Sequence, residues 1–229
     1  MSPRGTPSHR GRLITIEGPD GGGKTTQAER LRAHFAAAGS PVLLTREPGG
    51  TRLGERLRDV LLAPRGGSAA RDALTDAYLF NAARRQLVQE IIRPALRAGT
   101  TVVCARFADS TLAYQGFGAG APLDRLRQLE TIATDGLRPD LTVLLDLPVE
   151  LGLARKAPGD VTRFEAEFDV AFHRRVRDGF LTLAREEPTR FMVVDGTSSI
   201  DAIASTIAAA VDQPRSRNEP IPAVLRTHR

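Results

Sequence analysis

The chain has 229 residues, 41% hydrophobic and 26% charged, with 21 Gly, 15 Pro and one Cys. That is the mix of one large globular domain with enough apolar material for a core, and it excludes collagen-like, coiled-coil and disulfide-rich chains. A net charge of +5 invites a nucleic-acid reading, but residues 1–12 and 213–229 each carry +3 while residues 13–212 net to −1, so the folded body is not a basic surface and no nucleic-acid partner is expected.

In chain order, residues 1–11 form a basic tail expected to be disordered. Arg12–Glu17 (RLITIE) is a short β-branched apolar run, a buried-strand pattern. A Gly-rich turn leads into a helix over Thr25–Ala38, and Pro41–Thr45 (PVLLT) reads as a second strand closing a βαβ unit. A turn-rich loop over Arg46–Thr51 precedes a helix over Leu53–Leu62. Pro64–Ser68 is loop, and Asp72–Ala98 is a long helical stretch that Pro94 should kink or break. Thr100–Cys104 is the third strand; Phe107–Tyr114 opens another helix, ended by a loop at Gly116–Gly120. Leu123–Asp135 is helical, Leu141–Leu147 is the fourth strand, and Glu150–Lys156 begins a helix interrupted at Ala157–Thr162. Arg163–Glu187 reads as one long charged helix, Phe191–Val194 as the fifth strand and Ile200–Val211 as the final helix, before a second basic tail over 213–229. The alternation predicts an α/β fold: a five-stranded parallel sheet with helices on both faces, over residues 12–212.

No apolar run approaches the ~20 residues of a membrane span. Only Leu13, Ile14 and Ile16 follow the basic N-terminus before Glu17, too few for a signal-peptide core. A lone Cys104 cannot form an internal disulfide, which fits a reducing cytoplasm.

The sharpest motif is Gly18-Pro19-Asp20-Gly21-Gly22-Gly23-Lys24-Thr25-Thr26, a match to G-x-x-x-x-G-K-[ST] set between a strand and a helix. Glycines let successive backbone N–H groups turn toward a phosphate, and the helix N-terminus adds positive potential. Lys24 would reach the β- and γ-oxygens of a nucleoside triphosphate and the Thr25 hydroxyl would hold Mg²⁺. Of 32 basic residues only Lys24 and Lys156 are Lys, so these positions call for a compact point charge rather than a planar fork.

A second substrate must be read elsewhere. Glu47 and Pro48 follow the second strand, and Arg106 follows the third, at the carboxyl edge where open α/β sheets bind ligands. Phe80 and Arg84 lie four apart on one helical face. Arg84 and Arg106 offer two forked phosphate clamps, Phe80 a stacking face, and Tyr114 and Gln115 polar readers of a base edge. Phe80 on its own would read as core, and any single Arg among 30 as solvated surface.

With these blocks assembled, the chain resembles the bacterial thymidylate kinases. EGPDGGGKTT, TREPGGTRLGERLRDVLL, YLFNAARRQLVQEIIRPAL, RFADSTLAYQG, GLRPDLTVLLDLPVELGLAR, RFE and FHRRVRDGFLTLA run in family order over about residues 12–212. The resemblance implies a P-loop nucleoside monophosphate kinase fold, usually homodimeric, that moves the ATP γ-phosphoryl group to dTMP in dTTP synthesis. It implies that Phe80 stacks on thymine, Arg84 and Arg106 grip the dTMP phosphate, Thr111 and Gln115 face the base edge, Tyr114 packs near the sugar, Asp20 lies near the 3′-hydroxyl, and Pro48 with the 47–51 loop walls the nucleotide. Residues 155–163 correspond to the family's lid. The P-loop lacks Arg, and the bacterial subtype then keeps catalytic arginines in the lid, here Arg155 and Arg163 beside Lys156, to act with Lys24 and Arg106.

Two departures stand out. The family usually has Asp-Arg after the third strand, where this chain has Ala105-Arg106, and Asp-Arg-x-Glu in the lid, where this chain has Thr162-Arg163-Phe164-Glu165. The first leaves two alternatives open at this point: a catalytically weakened nucleotide-binding protein, or a kinase for another pyrimidine monophosphate. For the expected reaction the acceptor is an already ionised phosphate oxygen. Alignment and charge neutralisation, rather than a general base, would carry the rate.

Overall fold

Each of the five apolar runs becomes a strand, and all pair in parallel. The structure, a computed structural model, describes residues 11–63, 71–156 and 162–213, with residue 221. The strands are β1 (Leu13–Glu17), β2 (Val42–Arg46), β3 (Thr101–Ala105), β4 (Leu141–Asp146) and β5 (Phe191–Asp195), in the order β2-β3-β1-β4-β5. The register sets Ile16 beside Ala105 on one side and Glu17 beside Leu144 on the other. With β1 central and its neighbours reached by crossovers to either side, the chain reverses direction at the carboxyl end of β1, where such sheets open a ligand crevice.

The helices are α1 (Lys24–Ala37), α2 (Arg52–Leu62), α3 (Ala73–Leu87), α4 (Arg93–Arg97), α5 (Ala108–Thr111), α6 (Leu123–Thr134), α7 (Val149–Ala154), α8 (Arg163–Glu167), α9 (Val170–Glu186) and α10 (Ile200–Asp212). Alternate strand residues face opposite layers. Ile14, Ile16, Val103, Val143 and Val194 pack on Leu31 and Phe35 of α1 and Ile203 and Ile207 of α10. On the other face, Leu13, Val102 and Cys104 pack on Leu87 and Ile92, while Leu144 and Phe191 meet Phe172, Val176 and Phe180 of α9. Glu17 belongs to this second face, fully buried at the end of a strand that is apolar apart from Thr15.

Three expectations from the sequence need correction. Pro94 does not break its helix: a π turn over Val88–Ile92, with the Arg93 N–H donating to the Val88 carbonyl, joins α3 to α4 and accommodates the missing donor. Gly116–Gly118 are not loop but part of a second π turn, Leu112–Gly118, whose Gly118 carbonyl accepts from Arg175 at 2.9 Å. The stretch 163–187 is two helices, because Phe168 is extended and Asp169 caps α9 by accepting from the Phe172 N–H at 2.8 Å. Phe168 turns inward instead, its ring stacked 4.0 Å from that of Phe172.

Two residues assigned to the tails are packed against the fold. Gly11 is buried and its N–H donates to Leu96, and Ile221 is buried in the α1–α10 layer with its N–H on the Pro188 carbonyl. The expectations for residues 1–10, the loop 64–68, the lid's 157–161 and the rest of 214–229 lie outside the described residues.

Candidate active site

The crevice at the end of β1 is a cavity of about 510 Å³. Its floor is the Gly-rich turn. Gly18 (φ 139°) and Gly21 (φ 70°) take backbone conformations that side chains resist, and a Cβ on Gly21 would fall 1.8 Å from the Gly152 carbonyl of α7. Only glycine lets the loop lie that close to α7. Asp20, Gly21, Gly23, Lys24, Thr25 and Thr26 line the cavity; Gly18, Pro19 and Gly22 lie beneath it as support.

Two cations converge on one carbonyl there. Lys24 Nζ donates to Gly18 O at 2.9 Å and to Pro19 O at 2.5 Å, and Arg106 Nη1 donates to the same Gly18 O at 3.4 Å. Burial and the neighbouring Arg106 charge bring the Lys24 ammonium down to a pKa of about 7, against the pull of Asp20 and Glu17. Arg106 Nη2 donates to Asp20 at 2.5 Å and to the Tyr114 hydroxyl at 3.1 Å, and Tyr114 donates to Asp20 at 2.7 Å. Burial pushes the Asp20 carboxyl up, but Arg106, Lys24 and the Tyr114 bond prevail and hold it at about 2. Its negative charge keeps Arg106 and Tyr114 together at the mouth of the crevice.

The opposite wall is the acceptor set from the sequence. Glu47, Pro48, Phe80, Arg84, Arg106, Thr111, Tyr114 and Gln115 all line this same cavity. Spacing at i, i+3 and i+4 turns Thr111, Tyr114 and Gln115 to one side. Arg84 differs from expectation. It is only 1% exposed, and its donors go to Glu47 (2.8 Å), Asn81 (2.8 Å), Thr111 (3.1 Å) and the Phe107 carbonyl (3.1 Å). In this state it braces the wall more than it offers a free fork.

The lid arginines do not line the crevice. Arg163 is fully buried outside the cavity lining, on Asp76 at 2.6 Å, with its guanidinium 4.7 Å from the Phe164 ring centroid. Asp76, already held by Arg71 at 2.7 Å, draws it inward and makes it an anchor of α8. Arg155 is exposed and donates to the Gly196 carbonyl at 2.9 Å, away from the lining. Of the segment's cations, Lys156 reaches the cavity, paired with Glu165 of α8.

Sequence reading missed Glu17, Arg58 and Ser110. Arg58 lines the crevice and donates to the Pro48 carbonyl at 2.9 Å, with nothing in its helix pattern to mark it. Glu17 did carry a signal: an acid closing a buried apolar strand just before the Gly-rich turn. For a metal, the described residues contain no cluster of three or more His, Cys, Asp or Glu. The exposed Thr25 hydroxyl in the lining, with Asp20 alongside, suits a Mg²⁺ that takes most of its ligands from phosphate and water.

A family model described as thymidylate kinase matches residues 16–207. The chain is 52% identical over 205 residues to a thymidylate kinase of Deinococcus radiodurans, covering 89% of this chain and 98% of that one. It is 50% identical over 212 residues to one of Thermomicrobium roseum, covering 92% and 99%. A crystal structure of thymidylate kinase from Ehrlichia chaffeensis aligns at a TM-score of 0.73 and 32% identity, over 89% of this chain and all of that one.

Proposed function

The chain belongs to the thymidylate kinase family, and from that premise we propose how its residues divide the transfer of the ATP γ-phosphoryl group to dTMP, which yields ADP and dTDP. The observation that carries the division is the shared cavity: Lys24 on the donor side and Arg106 on the acceptor side meet at the Gly18 carbonyl, within reach of one chain of phosphates. Two cations held that close repel each other, and a polyanion laid between them relieves the repulsion.

The turn 18–23 and the N-terminus of α1 bind the ATP phosphates, with Lys24 on the β- and γ-oxygens. Thr25 would hold Mg²⁺, which when bound neutralises charge on the phosphate oxygens. Phe80 stacks on the thymine ring, Thr111 and Gln115 read its edge, Tyr114 and Asp20 meet the sugar, and Glu47 and Pro48 wall the acceptor. Arg106 grips the dTMP phosphate and aligns it for in-line attack; Arg84 supports that wall through Glu47 and Thr111. Lys156, rather than Arg155 or Arg163, is the cation of the 155–163 segment suited to the developing charge. The acceptor oxygen is already ionised, so no side chain removes a proton from it. Family membership does not favour a protein without turnover or a kinase for a different monophosphate.

The reading extends to a homodimer and to the cytoplasm. Exposed Leu53 and Val60 of α2 and Tyr78 of α3 support the first, and the lone buried Cys104 thiol fits a reducing compartment. A coupled assay of ADP release with ATP, Mg²⁺ and each nucleoside monophosphate in turn tests the activity: turnover should require dTMP, and equal turnover with dUMP or CMP would overturn the acceptor assignment.

A further inference from the structure

Arg106 sits at φ 67°, a left-handed conformation that a residue carrying a Cβ and a long side chain rarely takes. Something must hold it there, since the same backbone turn aims the guanidinium at Asp20 and Tyr114. Three bonds do so. The Arg106 N–H donates to the Ile16 carbonyl at 2.9 Å, extending the β1–β3 ladder by one residue. The next N–H, of Phe107, donates to Glu17 Oε1 at 2.7 Å. Ser110 Oγ, on the first turn of α5, donates to Glu17 Oε2 at 2.7 Å and accepts from Arg106 Nη1 at 3.3 Å. One buried carboxylate therefore fixes the backbone just after Arg106 and, through Ser110, one arm of its guanidinium.

We propose that Glu17 is a positioning residue for phosphoryl transfer: its two oxygens hold Phe107 N and Ser110 Oγ so that Arg106 stays left-handed and aimed at the acceptor phosphate. Glu17 lies outside the cavity lining, so it acts through Arg106. The inference rests on the reading of Arg106 as the dTMP clamp, and the test separates the two. A carboxylate that only satisfied a buried N–H would be replaceable by an amide, because a Gln oxygen accepts from Phe107 equally well. The second oxygen distinguishes them: a Gln –NH₂ cannot accept the Ser110 hydroxyl, so Ser110 must turn its proton elsewhere and its hold on Arg106 changes.

The full-length chain is assayed at pH 8 or above, where Glu17 is ionised and both oxygens accept, with ATP and dTMP varied independently. Glu17→Gln should lower kcat/KM for dTMP by about 10- to 100-fold, the scale of a small misplacement of an aligned group, with KM for ATP moved by less than about threefold. Ser110→Ala should lose in the same direction, Ser110→Thr, which keeps the hydroxyl, should stay within about twofold, and the Glu17→Gln/Ser110→Ala double variant should be no worse than Glu17→Gln alone. Additive losses, or Glu17→Gln within twofold of the unaltered protein, overturn the proposal. Should Glu17→Gln fail to fold, the serine pair decides: loss in Ser110→Ala restored in Ser110→Thr supports it, and no loss overturns it. Arg106→Ala serves as the control. Near-normal turnover there overturns the clamp and this inference together, whereas loss there with normal Glu17→Gln overturns this inference alone.

Discussion

Removing the Arg106 guanidinium can be separated from removing its backbone strain. Arg106→Ala deletes the donors to Asp20 (2.5 Å), Tyr114 (3.1 Å), Ser110 (3.3 Å) and Gly18 (3.4 Å) but leaves a Cβ at φ 67°. Arg106→Gly deletes the same donors and removes the strain of about 1–2 kcal/mol. Asp20 keeps the Tyr114 hydroxyl at 2.7 Å and the nearby Lys24 charge in either variant, so no orphaned carboxylate drives unfolding. Two charge-assisted bonds to a phosphate, at about 1.5–3 kcal/mol each, give roughly 3–6 kcal/mol, or about 10²–10⁴ in kcat/KM for dTMP. Both variants should show that loss in steady-state ADP release. In urea titrations, the glycine variant should be the more stable of the two by about 1 kcal/mol. Unequal activity losses would mean that backbone geometry, not the guanidinium, carries the effect; a retained activity in both would refute the clamp.

Phe80→Ala should raise KM for dTMP roughly 5- to 100-fold, the ~1–3 kcal/mol of one base stacked on an aromatic ring, with KM for ATP little changed. Arg163→Met should lower the melting temperature while leaving kcat/KM within about threefold, because the buried guanidinium anchors α8 to Asp76; a large kinetic loss in a well-folded variant would count against that. Arg84→Met leaves the Glu47 carboxylate buried without its partner and should cost about 3–5 kcal/mol, part of which Arg84→Met/Glu47→Gln should recover in the same urea titration. Burial and the Asp109 charge raise the Glu17 carboxyl from 4.5 to about 7. The folded chain therefore holds an extra proton between those values, and stability from this group is full below pH 4.5 and lost as pH rises to about 7, a change on the order of 3 kcal/mol. Relative to the unaltered chain, Glu17→Gln should show a shallower decline between pH 5 and pH 8, and parallel curves would remove the raised carboxyl from the account.

The strands and the Gly-rich turn were legible in the chain itself because each rests on local chemistry. β-branched runs such as Leu13–Ile16 bury in a parallel sheet whatever surrounds them, and glycines before Lys24 answer a backbone requirement that no other residue meets. Arg163 and Arg155 show the limit. Both are cations in a segment rich in them, and nothing along the chain distinguishes a guanidinium drawn onto Asp76, 87 positions away, from one free to reach a phosphate. The same holds for Arg84, whose partner Glu47 is 37 positions distant, and for Glu17, whose oxygens meet Phe107 and Ser110 across the β1–β3 pairing. The helix expected over 163–187 read as continuous because its period persists, and only the Phe164–Phe168–Phe172 stack, a packing event, turned Phe168 inward and let Asp169 start a new helix. Candidate residues could be picked out by their types and spacing; which of them line the crevice depended on partners far along the chain, as Arg163 on Asp76 and Arg155 on the Gly196 carbonyl show, and that is decided only when distant parts of the chain meet.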